Sequence, residues 1–268
     1  SEIAKWTMVL VVAWWGATHL EQMKLYVRGF LPPIALVGVM TAIIAVEDLG
    51  TAVLIFTTAC IVFFAAGCRT LHFASFLPVA VGGFILAIYT SPYRIARLQT
   101  YLHPFDDPDR SGYHILQSMS TISSGGLSGL GLGNGTHKFG YLPEDTTDFI
   151  FSVICEELGI FGAVAVASLF VGLVTMGVVV IHKTKDRFKR LLVLGIITTV
   201  GLQAAMNMLV VTALVPTKGI ALPLLSNGGT GWLLTALCIG LIDAIDRTNK
   251  PATSMQEHRY STATTTHA

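Results

Sequence analysis

The residues best suited to chemistry gather in one short stretch, His137–Gly159, which reads HKFGYLPEDTTDFIFSVICEELG. Lys138, Glu144, Asp145, Asp148, Glu156 and Glu157 all fall within it, in a chain only 12% charged. Long apolar segments surround the stretch, and ionisable groups close to hydrocarbon are costly enough to mark a pathway or a site. Asp148 stands immediately before Phe149-Ile150-Phe151. A carboxylate at the foot of an apolar helix is partly desolvated and can be tuned towards general-base work. The same position suits a helix N-cap, whose dipole favours the charged form. The residues alone leave these two readings level. Glu144 is the second choice, as a supporting group, against a solvated loop charge. Glu156 follows Asp148 by eight residues, close to two full turns, so the pair shares a face if one helix holds both. A structural role through an Arg or Lys partner is expected for it.

A reaction that sheds a phosphorylated leaving group also needs cations. Arg94, Arg97, Lys138 and Lys218 are the candidates, Arg as a bidentate phosphate partner and Lys as a point charge. Each fits interfacial anchoring by snorkelling equally well.

The elements that must position these residues are written in the composition. The 268 residues are 53% hydrophobic with mean hydropathy +0.66, the balance of an integral membrane protein rather than a soluble globule. A net charge of +1 gives no sign of nucleic-acid binding. Seven apolar runs follow, Ile3–Ala17, Phe30–Val46, Leu49–Gly67, Phe73–Tyr89, Phe149–Ile181, Leu191–Val215 and Ile220–Ile245. They predict an all-α polytopic bundle of seven transmembrane helices. The first run is short, and the chain opens on Ser1-Glu2 rather than Met, so upstream segments are expected to have been lost. The fifth is too long for one span. Its opening, Asp148–Gly159, is expected to be a helical lead-in at the membrane surface, with the span proper starting at Ile160. Pro78 and Gly82-Gly83 are expected to weaken or bend the fourth helix.

The connection His182–Arg190 is the most basic and should face the cytoplasm. Alternation then puts Glu21–Arg28, Cys68–His72 and the tail from Arg247 on the same side. Val46–Asp48, the long loop 91–147 and Pro216–Gly219 fall outside. The transmembrane domain is thus 1–246 with its extracytoplasmic loop at 91–147, and 247–268 reads as a disordered, Thr- and Ser-rich cytoplasmic tail. The glycine run Gly125–Gly135 lacks the GKS or GKT ending of a phosphate loop and reads as a flexible turn. Cys60, Cys68, Cys155 and Cys238 are scattered, and no histidine pair has metal spacing, so no zinc site is expected. Lys5 and Asp48 are expected to pair across the bundle. Asn207, deep in the sixth run, is expected to hydrogen-bond between helices, for less than about 2 kcal/mol.

Several stretches together resemble the SEDS family of bacterial cell-wall proteins, which includes FtsW, RodA and SpoVE. Ser1-Glu2 with Lys5, then Asp48-Leu49-Gly50, resemble its first two motifs. Pro92-Tyr93-Arg94 with Arg97, Pro104–Tyr113 and Gln117-Ser118 follow the start of its large outer loop. Gly131-Leu132-Gly133, Tyr141–Glu144, Thr147–Phe151 and Glu156–Gly159 match its most recognisable block. Pro216–Gly219, Leu222-Pro223, Ser226 and Gly228-Gly229 match the signature before its last helix. The order is kept over residues 1–246, and Thr217-Lys218-Gly219 looks more like the FtsW branch than the RodA branch. Departures stand at Val46-Glu47, Asn227 and Thr230-Gly231.

The resemblance implies a bundle of about ten helices, of which this chain would carry the last seven. It implies a glycosyltransferase that polymerises lipid II into glycan strands at the outer face of the bacterial cytoplasmic (inner) membrane. It places the catalytic carboxylate on Asp148 and favours Lys218 among the cations. Membrane lipids, a class B penicillin-binding protein and other divisome proteins are the implied partners. A divalent cation between pyrophosphate and carboxylate fits the charge logic, and no other cofactor follows. Two alternatives compete: a lipid II flippase, which intramembrane Lys5, Asp48, Asn207 and a broken fourth helix would suit, and a non-catalytic divisome scaffold, which the departures would suit.

Overall fold

The computed structural model describes residues 1–107, 112–135, 147–216 and 219–249. All regular structure among them is helical: α1 (Glu2–Thr18), α2 (Leu31–Glu47), α3 (Leu49–Ala65), α4 (Thr70–Tyr89), α5 (Pro92–Leu102), α6 (Tyr113–Gly125), α7 (Ile150–Lys183), α8 (Arg187–Val211) and α9 (Gly229–Asn249). Each of the seven apolar runs overlaps one of the long helices. Among the described residues, five stretches are long and apolar enough to cross a membrane: Tyr26–Glu47, α4, α7, α8 and α9. α3 is apolar but shorter, so seven full spans are not reached on length.

α8 is the axis of the bundle. More than half of its apolar window is buried (56%), against 6% for α4 and 11% for α9. Val193, Ile196 and Val200 of α8 share one core with Val9 and Val12 of α1 and with Ile55, Val62 and Phe63 of α3. Ile34 and Val37 of α2 extend it, and α4, barely covered, is left with an apolar surface of the kind lipid covers.

The connections segregate to two ends. At one, Cys68 Sγ donates to Met23 Sδ at 3.4 Å, Arg187 donates to the Ala66 carbonyl at 2.9 Å, and Asn249 donates to Thr184 at 2.8 Å. This end carries the basic loop His182–Arg190. At the other, Val46–Gly50, residues of Ser91–Leu98 that include Arg94 and Arg97, and Val215, Pro216, Gly219 and Ile220 surround a common cavity. The two groups of loops are those that charge alternation separates.

Two expectations need correction. α4 runs unbroken through Pro78 and Gly82-Gly83; loss of one ladder bond is tolerated within a helix that keeps the rest. The break falls in α7, at Gly159 (φ 65°, ψ −157°), where the lead-in ends. The last helix begins at Gly229 rather than Ile220. Pro223, a left-handed Leu224 (φ 64°) and a bond from Leu222 N to Ser226 Oγ hold 219–228 in irregular turns. The tail from residue 250 lies outside the described residues.

Candidate active site

The break in α7 frees backbone groups, and the glycine run takes them up. Leu130 N donates to Glu156 O at 3.0 Å, Gly131 N to Glu157 O at 2.9 Å, and Ile160 N to Gly126 O at 3.1 Å. Gly129 (φ 76°) sits so close that a Cβ there would collide with the Glu157 carbonyl. The run is therefore a docked strap that completes the broken helix, and buried backbone groups find their partners there.

Asp148 lies at the other end of this lead-in. Phe149 is the N-cap of α7 and no side chain caps it. Asp148 stands one residue before this N-cap, outside the helix, so it shares no helical face with Glu156. Glu156 is instead fully buried, with its carboxylate against Gly135. Asp148 is half-buried. Its carboxylate rests on Gly219: a Cβ at that position would overlap Oδ2 and lie 3.3 Å from Cγ.

Side chains fasten the two irregular segments that meet here. Asn207 Nδ2, from α8, donates to Asp148 O and to Ile220 O, both at 2.7 Å. Ser226 Oγ donates to Thr147 O while accepting from Leu222 N at 2.7 Å. One turn along α8, Gln203 donates to Ala221 O at 2.9 Å and accepts from Lys5 Nζ at 2.8 Å. Lys5, 1% exposed, is ion-paired with Glu2 at 2.8 Å. The expected Lys5–Asp48 pair is thus replaced: Glu2 and Gln203 lie nearer to Lys5, and Asp48 caps α3 by accepting from Thr51 N at 3.1 Å.

Gly219 and Ile220 also line the cavity, of about 520 Å³, at this end of the bundle. Its polar lining includes Glu47, Asp48, Arg94 and Arg97; Val53, Phe84, Ile88 and Met206 form apolar wall. Arg94 and Arg97 project from α5, which is amphipathic. Arg94 donates to the carbonyls of Ala87 at 2.6 Å and Val46 at 2.9 Å and also to that of Ala45, tying the ends of α4 and α2 together. The Arg97 guanidinium stands 4.6 Å from the centre of the Tyr93 ring. At the far end of α5, Tyr101 Oη donates to Leu214 O at 2.9 Å.

Of the six site residues expected from sequence, Arg94 and Arg97 line this cavity, and Asp148 lies against Gly219, which also lines it. Lys138, Glu144 and Lys218 lie outside the described residues, as does Asp145. Among the described residues no group of three His, Cys, Asp or Glu side chains is placed to hold a metal ion. Gln203 and the Gly219 contact were not expected. The signal for Gln203 was present: two amides four residues apart on one face of an apolar helix.

The family model for cell cycle proteins of the FtsW, RodA and SpoVE type matches residues 1–251. The chain belongs to this family. It is 38% identical over 243 residues to a probable peptidoglycan glycosyltransferase FtsW of Geobacter sp. (strain M18), covering 90% of this chain and 66% of that one. It is 36% identical to the stage V sporulation protein E of Bacillus subtilis (strain 168), covering 92% and 68%. This member of the FtsW/RodA/SpoVE family spans about two thirds of the length of those relatives. A chain from the structure "Structural coordination of polymerization and crosslinking by a peptidoglycan synthase complex" superposes with TM-score 0.68 at 26% identity, covering 92% and 69%. The rod shape determining protein RodA of Thermus thermophilus has the same fold, with TM-score 0.57 at 23% identity, covering 93% and 66%. Like them, this chain is a multi-pass helical membrane protein.

Proposed function

We propose that this chain carries the catalytic part of a peptidoglycan glycosyltransferase that polymerises lipid II at the outer face of the bacterial cytoplasmic membrane. The observation that carries the reading is the seat of Asp148. A half-buried carboxylate rests on a residue that lines a large cavity, and that cavity offers cationic and apolar wall together. The acceptor sugar hydroxyl gives its proton to Asp148 as its oxygen bonds to the anomeric carbon of the donor. The bond from that carbon to the lipid pyrophosphate breaks, and undecaprenyl pyrophosphate leaves. One positioned base suffices, since the nucleophile is a hydroxyl and no paired carboxylates are required.

Arg97 supplies positive charge for the departing pyrophosphate, with Lys218 and Lys138 as further contributors and Glu144 in support. Arg94 lends charge to the same wall while its N–H groups hold backbone carbonyls. The basic end of the bundle faces the cytoplasm and the cavity faces outward. A class B penicillin-binding protein, a transpeptidase to cross-link the product, is the partner, in line with the synthase complex in which a structural neighbour was solved. Divisome proteins complete the assembly.

The test is lipid II polymerisation by purified full-length protein against Asp148→Asn, which keeps shape and removes the base. The variant is expected to lose about 10²- to 10⁴-fold in rate. Equal rates would refute the role of Asp148. Of the features that suited the flippase alternative, the broken fourth helix is replaced by a continuous α4.

A further inference from the structure

We infer that Asn207 is a positioning residue for Asp148, acting with Gly219, which leaves the space its carboxylate occupies. The inference rests on the reading of Asp148 as the base. One amide group reaches two carbonyls at 2.7 Å, and these belong to segments far apart in sequence, one at Asp148 itself and the other at Ile220, next to the residue under the carboxylate. Both segments are irregular at these points, so no helical ladder sets their spacing. The amide sets it. It does so from α8, the most buried long helix of the bundle, and groups mounted on rigid elements hold a reacting atom more tightly than groups on loops.

The other half of the Asn207 side chain explains why an amide stands here. Asn207 is 1% exposed, and among the described residues its Oδ1 has no hydrogen-bond partner. A buried acceptor with no protein partner works against stability. Its donor half is what the position uses. From the opposite side, Gly219 admits the carboxylate only because it has no Cβ. The acid is thereby fixed twice, its backbone by Asn207 and its carboxylate by the gap at 219. Small displacements of a reacting group have large kinetic cost.

The experiment uses full-length protein in detergent with lipid II, and compares wild type, Asn207→Leu and Gly219→Ala. Leu matches Asn in size and removes both donated bonds; Ala at 219 pushes on the carboxylate directly. Each is expected to lower kcat by roughly 10- to 100-fold with KM nearly unchanged. Each is also expected to move the acid limb of the pH–rate profile, because a displaced base titrates in new surroundings. A loss of folded enzyme alone would scale that profile without moving it, and that result overturns the proposal. Wild-type kcat in both variants overturns it too. Should Asn207→Leu fail to fold, Gly219→Ala decides alone by the same criteria. If Asp148→Asn keeps full activity, the reading of the base itself has failed. If that variant is inactive while Asn207→Leu and Gly219→Ala are normal, only the positioning role has.

Discussion

Two junctions in this molecule solve the same problem by different means. At Gly159 and at 219–222 no helical ladder serves the backbone, and its buried polar groups need other partners. At Gly159 the partners are backbone groups of the glycine strap, three main-chain bonds of about 3 Å. At 219–222 the partners are side chains: Asn207, Gln203 and Ser226. A main-chain seal is dense and leaves no room beside it. Side-chain struts hold two backbones apart at a set distance, and the Asp148 carboxylate lies in the space they keep. The first junction closes the fold and the second makes a site.

The difference is broken most forcefully at the strap. Gly129→Ala places a Cβ onto the Glu157 carbonyl and forces an L-residue into φ 76°. Positive φ alone costs roughly 1–2 kcal/mol, and a backbone overlap adds to it, so a loss of about 3 kcal/mol or more is expected. Thermal unfolding of the detergent-solubilised full-length protein measures it. Turnover per folded molecule should stay near wild type, since the strap bonds residues 156–160, at the far end of the lead-in from the acid. A variant that folds normally yet turns over slowly would mean that the strap belongs to the site.

Ser226→Ala probes the second junction at smaller cost. It strips the donor to Thr147 O and leaves the Leu222 amide, buried, without its acceptor. An unsatisfied buried group costs about 1–3 kcal/mol. Here turnover should fall as well, by roughly tenfold, because Thr147 adjoins the acid and its displacement is passed on. The ratio of catalytic to stability loss should therefore be opposite in the two variants.

Sequence patterning locates the long helices well because apolar runs of membrane length have few alternative readings. Leu49 and Tyr89 are helix ends in both the pattern and the structure. It fails where hydrophobicity and helicity part company. Ile220, Leu222, Leu224 and Leu225 look like the start of a span, yet they are irregular, because Ser226 and Asn207 satisfy the backbone that a helix would otherwise satisfy. α5 and α6 are invisible to a search for long runs, although Ile95, Leu98 and Leu102 keep helical spacing. Asp148 was legible as a candidate from its apolar neighbours and its motif. Its place one residue before the N-cap was not, since a helix start is uncertain by a residue or two in any sequence. Asn207 was legible as a polar group out of place, but its two partners lie on segments that only tertiary structure brings together.

The smallest expected effect is the most useful control. Tyr101 also donates a side-chain bond to a backbone carbonyl, that of Leu214, at 2.9 Å, at the same end of the bundle. It resembles the Ser226 bond in kind and differs in setting, since Leu214 is 63% exposed. When Tyr101→Phe removes the hydroxyl, water can take its place on the carbonyl, so only the net worth of an exposed bond is lost, about 0.5 kcal/mol or less. Turnover should not change, because α5 keeps its Arg94 anchor on the ends of α2 and α4. If Tyr101→Phe matched Ser226→Ala in both stability and turnover, burial would not be what separates a strut from an ordinary surface bond. The contrast between the two junctions would then reduce to a count of hydrogen bonds.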